Sequence, residues 1–257
     1  MSEAKPPSPA KKPVTVRQLR ERRRVLRSIG AGAAVVGAAL LGFFPVVKKW
    51  AERLRPPGAI EEQPFLAACI KCGQCVQVCP VEAVKLGDLD EGFGVGAPYI
   101  DARTQACDFS CDAVQCVLAC PTGALSHDVD KKEQVRMGLA ELTRPHACLA
   151  RQGKGFKGLA RGADFPGLHR YMDVDRWTPI RIADHPYDLE LCDLCVRECP
   201  IEDAIYLEDM PTVDPHLNAK TPVVTEKCVG CGMCEMICPV DEAAITITIR
   251  MMWEDRA

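Results

Sequence analysis

The sequence predicts an α+β chain of two tandem modules, built from short strands and short helices and preceded by an N-terminal signal or anchor helix. Three observations carry that expectation. Of the sixteen cysteines, all but Cys148 fall into four compact groups, each closed by a proline. Each group is followed by a repeated turn, a small residue and the start of an apolar strand. Ahead of the first group lie a basic segment and then an uncharged run long enough to cross a bilayer.

Residues 1–20 are rich in proline, lysine and small polar residues, a composition that does not bury a core. Arg22-Arg23-Arg24-Val25-Leu26-Arg27 follows, and then twenty uncharged residues from Ser28 to Val47, mostly Ala, Gly, Val and Leu. A basic region before an apolar region is the order of an export signal. Arg22 and Arg23 resemble the pair of a twin-arginine signal, RR-x-F-L-K, with Val25 for Phe and Arg27 for Lys. Such signals are addresses read by a receptor, and the resemblance implies export of an already folded protein to the periplasm. The alternative is a basic arm ahead of a membrane anchor, with Lys48, Lys49, Arg53 and Arg55 lying against phospholipid headgroups. No A-x-A cleavage pattern precedes Lys48, so an uncleaved segment that holds the protein at the inner membrane stays open. Residues 1–55 form this leading domain, and no second apolar stretch of membrane length follows residue 56.

The formal net charge of −3 hides an asymmetry. Residues 1–27 hold nine Lys or Arg against Glu3 and Glu21, a balance of +7, which leaves −10 on the remaining 230 residues. So acidic a body argues against nucleic acid as a partner, because nucleic-acid binding needs a basic footprint. Aromatics are only 5%, which suits a fold whose metal–ligand bonds supply much of the folding free energy.

The groups are Cys69, Cys72, Cys75 and Cys79 before Pro80; Cys107, Cys111, Cys116 and Cys120 before Pro121; Cys192, Cys195 and Cys199 before Pro200; and Cys228, Cys231, Cys234 and Cys238 before Pro239. The first and fourth read C-x2-C-x2-C-x3-C-P, the spacing with which thiolates wrap an iron–sulfur cube in a bacterial-type ferredoxin. Three cysteines fold a loop around one cube, while the fourth points to a neighbouring cube, so the motifs work in pairs. Disulfide scaffolds are usually short secreted chains, and zinc sites usually take two pairs of ligands separated by a longer loop. Iron–sulfur ligation fits the spacing better than either. The third group lacks one ligand, since the spacing run backwards from Cys192 lands on Leu189. Adding Cys148 gives sixteen ligands, enough for four [4Fe–4S] clusters. The alternative for Cys148 is an ordinary buried thiol, which behaves as a small hydrophobe.

The repeat after each group reads Pro80-Val-Glu-Ala83, Pro121-Thr-Gly-Ala124, Pro200-Ile-Glu-Asp-Ala204 and Pro239-Val-Asp-Glu-Ala243. Ile245-Thr-Ile-Thr-Ile249 alternates as a half-buried strand does, and Pro98-Tyr-Ile100 and Pro222-Val-Val224 are short strand candidates. Val135, Leu139 and Leu142 recur near helical spacing and predict a helix over 131–142. The four units predict two modules, 56–145 and 146–257. The second carries an insertion at 149–191, rich in glycine, Lys and Arg, that reads as a loop covering a surface or docking a partner. The five histidines show no shared metal-ligand spacing, and no nucleophile–base constellation is visible.

With the cysteine map complete, the chain resembles the MauM/NapG family of ferredoxin-type proteins over residues 20–250. The resemblance rests on the twin-arginine segment, the four motifs, and two details. One is the second motif, Cys107-x3-Cys111-x4-Cys116-x3-Cys120-Pro-Thr-Gly-Ala-Leu125. The other is Met137-Gly-Leu-Ala140 leading to Cys148-Leu149 and on to Cys192-Asp-Leu-Cys195-x3-Cys199-Pro200. It implies two bacterial-type dicluster ferredoxin modules with four [4Fe–4S] clusters. By the cross-ligation rule for such modules, Cys69, Cys72 and Cys75 join Cys120, and Cys107, Cys111 and Cys116 join Cys79. In the second module Cys148, Cys192 and Cys195 join Cys238, and Cys228, Cys231 and Cys234 join Cys199.

Family members resemble periplasmic relays that pass electrons from a membrane-bound, quinol-linked ferredoxin-type partner to a periplasmic redox enzyme or cytochrome, in nitrate reduction or methylamine oxidation. The implied role is a non-catalytic carrier or an electron-transfer subunit of a quinol dehydrogenase complex. The long insertion leans toward a MauM-like member. Two other functions stay open: the iron–sulfur subunit of a larger molybdenum enzyme or hydrogenase, and an assembly or maturation factor for a periplasmic redox enzyme.

Overall fold

The computed structural model describes residues 16–48, 52–88, 94–111, 114–171, 174–175, 177–211 and 218–253. The chain divides into two compact units, Met1–Trp50 and Ala51–Ala257.

The first unit holds helix α1, Val16–Lys48. Its leading Arg and Leu residues are strong helix formers, and Arg17 and Glu21, one turn apart, pair at 3.5 Å. Arg22 and Arg23 stand exposed on it. A helix therefore occupies the place expected of a signal or anchor. Among the described residues, however, no helix is long and apolar enough to cross a membrane.

In the second unit, α2 (Glu62–Ala68) leads into the first cysteine loop, and four one-turn helices lie inside the loops themselves. These are α3 (Gln74–Gln77), α4 (Gln115–Leu118), α5 (Leu194–Arg197) and α6 (Met233–Ile237). In the first half β1 (Val84–Leu86) pairs antiparallel with β2 (Pro98–Ile100), placing Val84 opposite Ile100. An outer pair closes it, with Ala59 bridging Leu125 and the Ser126 N–H donating to Gly58 O at 2.7 Å. The second half repeats the plan. There β8 (Ile205–Asp209) pairs with β9 (Lys220–Val224), and the outer pair is β3 (Gly138–Glu141) with β10 (Thr246–Ile249). The internal repeat of the sequence is thus a repeat in three dimensions. One continuous apolar core joins Phe65, Val117 and Leu125 of the first half to Leu194, Met233 and Ile237 of the second.

The helix expected over 131–142 does not form. A single 3-10 turn, Lys132–Gln134, is followed by β3. Gly138 lies so close to β10 that a Cβ there would stand 2.5 Å from Thr248 O. The approach of a distant strand decides the conformation, against the local apolar spacing. Residues 138–141, on the first-module side of the expected boundary, therefore pair with the last strand of the second half. Residues 149–191 are not a plain loop either. After a turn at Ala150–Gln152, β4 (Phe156–Leu159) pairs with β7 (Pro186–Leu189), enclosing a two-residue pair of β5 (Leu168–His169) with β6 (Ile180–Arg181).

Arg55 is not a headgroup contact. It is 5% exposed, bonds Glu62 through Nε at 3.0 Å and donates to Pro98 O at 2.8 Å. Arg250 reaches the same carboxylate at 2.8 Å. Burial alone would raise the Glu62 pKa, but the two guanidiniums together hold it below its ordinary value. This pair of arginines ties the start of the body to its end.

The repeat after each motif has one conformational cause. Glu82, Gly123, Asp203 and Glu242 all lie in the left-handed region, with φ of 55°, 70°, 57° and 51°. Each reverses the chain just before a buried alanine: Ala83, Ala124, Ala204 or Ala243.

Gly230 combines a left-handed conformation with a close backbone approach. Its φ is +72°, and a Cβ would lie 2.3 Å from Gly138 O and 2.4 Å from Gly138 N. Gly230→Ala is expected to cost about 3 kcal/mol through strain and overpacking, lowering the thermal midpoint of the intact protein. An unchanged midpoint would show that the two backbones separate freely.

Candidate iron–sulfur centres

All sixteen cysteines are free thiols, and the structure gathers them around four cavities. Site I is lined by Cys69, Cys72, Cys75 and Cys120, with Phe65 and Leu125. Site II is lined by Cys79, Cys107, Cys111 and Cys116, with Val84 and Ile100. Cys148, Cys192, Cys195 and Cys238 line site III, with Leu194 and Ile245. Cys199, Cys228, Cys231 and Cys234 line site IV, with Val224 and Ile247. The groups brought together are the crossed sets, and Cys148 stands where the third motif lacks a cysteine. The four volumes are alike at 360, 340, 380 and 330 Å³ for sites I to IV, which suits one kind of occupant. Among the described residues no group of three or more His, Cys, Asp or Glu is placed to hold a single metal ion. The cysteines stand apart around voids.

The sites share one plan. In sites I, II and IV three cysteines come from one loop, and in site III Cys148 joins Cys192 and Cys195 from a distant segment; in each, the one-turn helix carries one of them: Cys75, Cys116, Cys234 or Cys195. Left-handed residues start three of these helices: Gly73, Val114 and Gly232, at φ of 74°, 44° and 88°. For Val114 that conformation is strained. The fourth cysteine arrives from the partner motif, and in three of the four sites the turn behind it aims a backbone N–H at its sulfur. Ala83 N donates to Cys79 Sγ at 3.2 Å, Leu125 N to Cys120 Sγ at 3.5 Å, and Ala244 N to Cys238 Sγ at 3.4 Å. Burial would raise the Cys120 thiol, yet the N–H groups around it, including those of Leu125 and Thr122, lower it.

At several other cysteines burial prevails. It pushes Cys75 up to about 11, with Cys69 and Cys72 adding to the effect. Cys192 also rises to about 11, through burial and its neighbours Cys148 and Cys238. Cys195, Cys231 and Cys234 rise further for the same reasons. Four thiolates in one apolar hole need a cationic core to coexist, and soft sulfur donors match iron–sulfur clusters. The donor set and the shape therefore fit a [4Fe–4S] cluster at each site.

The sites follow one another in a definite order. The Cys116 thiol of site II feels the Cys75 thiol of site I. Cys107 of site II donates its N–H to Cys231 O of site IV at 3.2 Å. Cys234 of site IV feels Cys195 of site III. The order is I, II, IV, III. Cys72 of site I is the one exposed cysteine of the sixteen.

A larger cleft, of 1580 Å³ by the same measure, lies outside these sites and has a single cysteine, Cys199, on its wall. His169, 7% exposed, stands beside it. Its Nε2 is hydrogen-bonded to Glu198 Oε2 at 3.1 Å, while Nδ1 makes an ion-pair contact with Asp108 Oδ2 at 3.5 Å. Burial would lower the His169 pKa, but the two carboxylates overcome it and raise the value to about 9. Asp108 is lowered in turn: burial opposes its charge, but His169 and Ser110 more than compensate. The acids sit next to Cys107 and Cys199 in the sequence, but nothing local pairs them with a histidine so far away in the chain.

Residues 68–124 and 190–242 match the family model described as a 4Fe-4S dicluster domain. The ferredoxin-type protein NapG of Escherichia coli K12 is 35% identical over 232 residues, covering 88% of this chain and 84% of the relative. The methylamine utilization ferredoxin-type protein MauM of Paracoccus denitrificans is 35% identical over 240 residues, 89% of this chain and 90% of the relative. MauM of Methylorubrum extorquens is 34% identical over 233 residues, 89% of each chain.

The raised pKa of His169 has a thermodynamic consequence. Its ion pairs stabilise the fold fully below the unfolded value of 6.5, and that contribution fades as the pH climbs through about 9. His169→Gln is expected to be less stable than the parent by about 2 kcal/mol at acidic pH, with the gap closing through that window. Thermal midpoints of both proteins across the pH range measure it. A gap that ignores pH would show that His169 is not charged in the fold.

Proposed function

Because the chain belongs to the family of ferredoxin-type proteins that includes NapG and MauM, we propose that it relays single electrons between a membrane-bound, quinol-linked partner and a periplasmic redox enzyme, of nitrate-reductase or methylamine-oxidation type. The observation that carries this reading is the set of four like cavities, each ringed by four cysteines. Four [4Fe–4S] clusters bound there would supply outer-sphere, one-electron chemistry at potentials tuned by burial, charge and hydrogen bonds to sulfur. Cys69, Cys72, Cys75 and Cys120 would hold the first; Cys79, Cys107, Cys111 and Cys116 the second; Cys148, Cys192, Cys195 and Cys238 the third; Cys199, Cys228, Cys231 and Cys234 the fourth.

The rest of the chain supports that task. The N–H groups of Ala83, Leu125 and Ala244 stabilise charge on the crossing sulfurs. Arg103, which donates to Cys238 O at 2.9 Å, places positive charge beside site III. The exposed Cys72 makes site I the terminus at which an electron is exchanged with a partner. Arg22 and Arg23, exposed on α1, serve as a twin-arginine address. Export after folding lets the cysteines receive iron in the reducing cytoplasm and work in the periplasm.

Two measurements test this. Anaerobically purified protein is expected to hold about 16 iron atoms per chain, and Cys148→Ala about 12; iron analysis of a mutant that keeps all of them would remove Cys148 from site III. Membranes carrying the partner, supplied with quinol, are expected to bleach the visible absorption of the protein as it is reduced. Failure of every quinol-linked membrane preparation to do so would defeat the assignment.

A further inference from the structure

The two halves of the second unit meet where sites II and IV approach. There Cys107 N–H donates to Cys231 O at 3.2 Å, and Ala106 N–H to Met236 Sδ at 3.1 Å. Arg103 donates to the carbonyls of Glu235, Cys238 and Val240 at 2.6, 2.9 and 2.6 Å. These are contacts between loops, with none of the β pairing that closes each half. A joint of that kind needs bracing.

Residues 149–191 provide it. Arg161 Nη1 donates to Arg103 O and to Met236 O, both at 2.9 Å, so one side chain joins a carbonyl from each half. Its guanidinium lies over the Phe165 ring at 4.2 Å, which holds it in place. The Leu168 backbone and the Gln105 amide exchange two hydrogen bonds, at 2.8 and 2.9 Å. Arg170 N–H donates to Asp108 Oδ2 at 3.2 Å. His169 completes the set by spanning Asp108, which follows Cys107 of site II, and Glu198, which precedes Cys199 of site IV. Tyr187 OH donates to Glu198 Oε1 at 3.1 Å and keeps that acid in position. A segment that only covered a surface would turn its polar side chains to water. These are aimed inward, at the neighbours of cysteines from two different sites.

We propose that residues 149–191 are a strap that fixes the separation of sites II and IV, with Arg161 and His169 as its positioning residues. This rests on the relay reading, in which II to IV is the one electron step between the halves. Sites I and II, and likewise III and IV, share crossed motifs that hold them at a set spacing without help. Across the loop joint no motif is shared, and to the apolar core and the Arg250–Glu62 pair the strap adds directed bonds at Arg161 and His169. Electron transfer falls steeply with distance, so the strap governs passage along the whole relay.

The test uses the full chain, loaded anaerobically and reduced with dithionite. Iron content and the electron paramagnetic resonance spectrum are measured for the parent, for Arg161→Ala and His169→Ala, and for the conservative Arg161→Lys and His169→Gln. Spin–spin broadening between clusters within each half serves as the internal control. The expected result is that both alanine variants keep about 16 iron atoms and lose the additional broadening between the halves, and that Arg161→Lys restores it. Full iron with that broadening retained in both alanine variants overturns the strap. If the alanine variants lose iron, His169→Gln decides: weakened broadening with full iron supports the strap, whereas broadening unchanged or iron lost again overturns it, leaving the segment a folding element. A parent that holds all its iron yet shows no broadening between the halves would instead defeat the relay order I, II, IV, III on which the proposal stands.

Discussion

The last cysteine of each motif lies with the other motif's site, and the arrangement of the body follows from this crossing. Cys79 lines site II and Cys120 site I; Cys199 lines site IV and Cys238 site III. Two loops that trade a ligand must lie side by side, in opposite senses, with their following strands close. The inner hairpin and the outer pair of each half meet that requirement. The proline and the left-handed residue behind each crossing cysteine then turn the chain sharply enough to bring a backbone N–H back to sulfur in three of the four cases. One geometric demand thus explains the repeat in sequence, the short strands, and the buried alanines.

Electrostatics supplies the second constraint. Thiols crowded in small apolar holes resist ionisation, as the raised values at Cys75, Cys107, Cys195 and Cys231 show. A protein built this way depends on its metal core for charge balance as well as for cross-linking. The positive charges that are present stand outside the holes. Arg103 and Arg161 both lose some basicity to burial while the carboxylates and thiols around them pull the other way. They are held by backbone carbonyls, so they lend positive potential to site III without competing for its sulfurs.

Between the halves the physics changes from ligand sharing to polar bracing. Asp108, His169 and Glu198 form a buried acid–base–acid bridge, and Arg161 and Gln105 add directed hydrogen bonds. Bonds of this kind are stiff where apolar contact would allow sliding, because a displaced partner leaves a buried charge or carbonyl unsatisfied. They are also the contacts least visible from the chain, since their partners lie between 29 and 75 residues apart.

The sequence by itself determined the chemistry: sixteen cysteines, two of whose groups have ferredoxin spacing, the turn after each motif, and strands such as Pro98–Ile100 and Thr246–Ile249, because these depend on neighbours a few residues away. It also left one vacancy, at Leu189, and one spare cysteine, and the structure sets Cys148 beside Cys192, Cys195 and Cys238. Tertiary structure decided what local spacing could not. Val135, Leu139 and Leu142 read as a helix, but the approach of β10 to Gly138 makes them a turn and a strand. The glycine-rich insertion reads as a loop, but its own ends pair across some thirty residues as β4 with β7, enclosing β5 with β6. Arg55 reads as a surface cation, but Glu62, Arg250 and Pro98 O bury it. In each case the deciding partner is distant in the chain, and its hydrogen bond or close approach outweighs a preference worth only a fraction of a kcal/mol per residue, up to roughly 0.7.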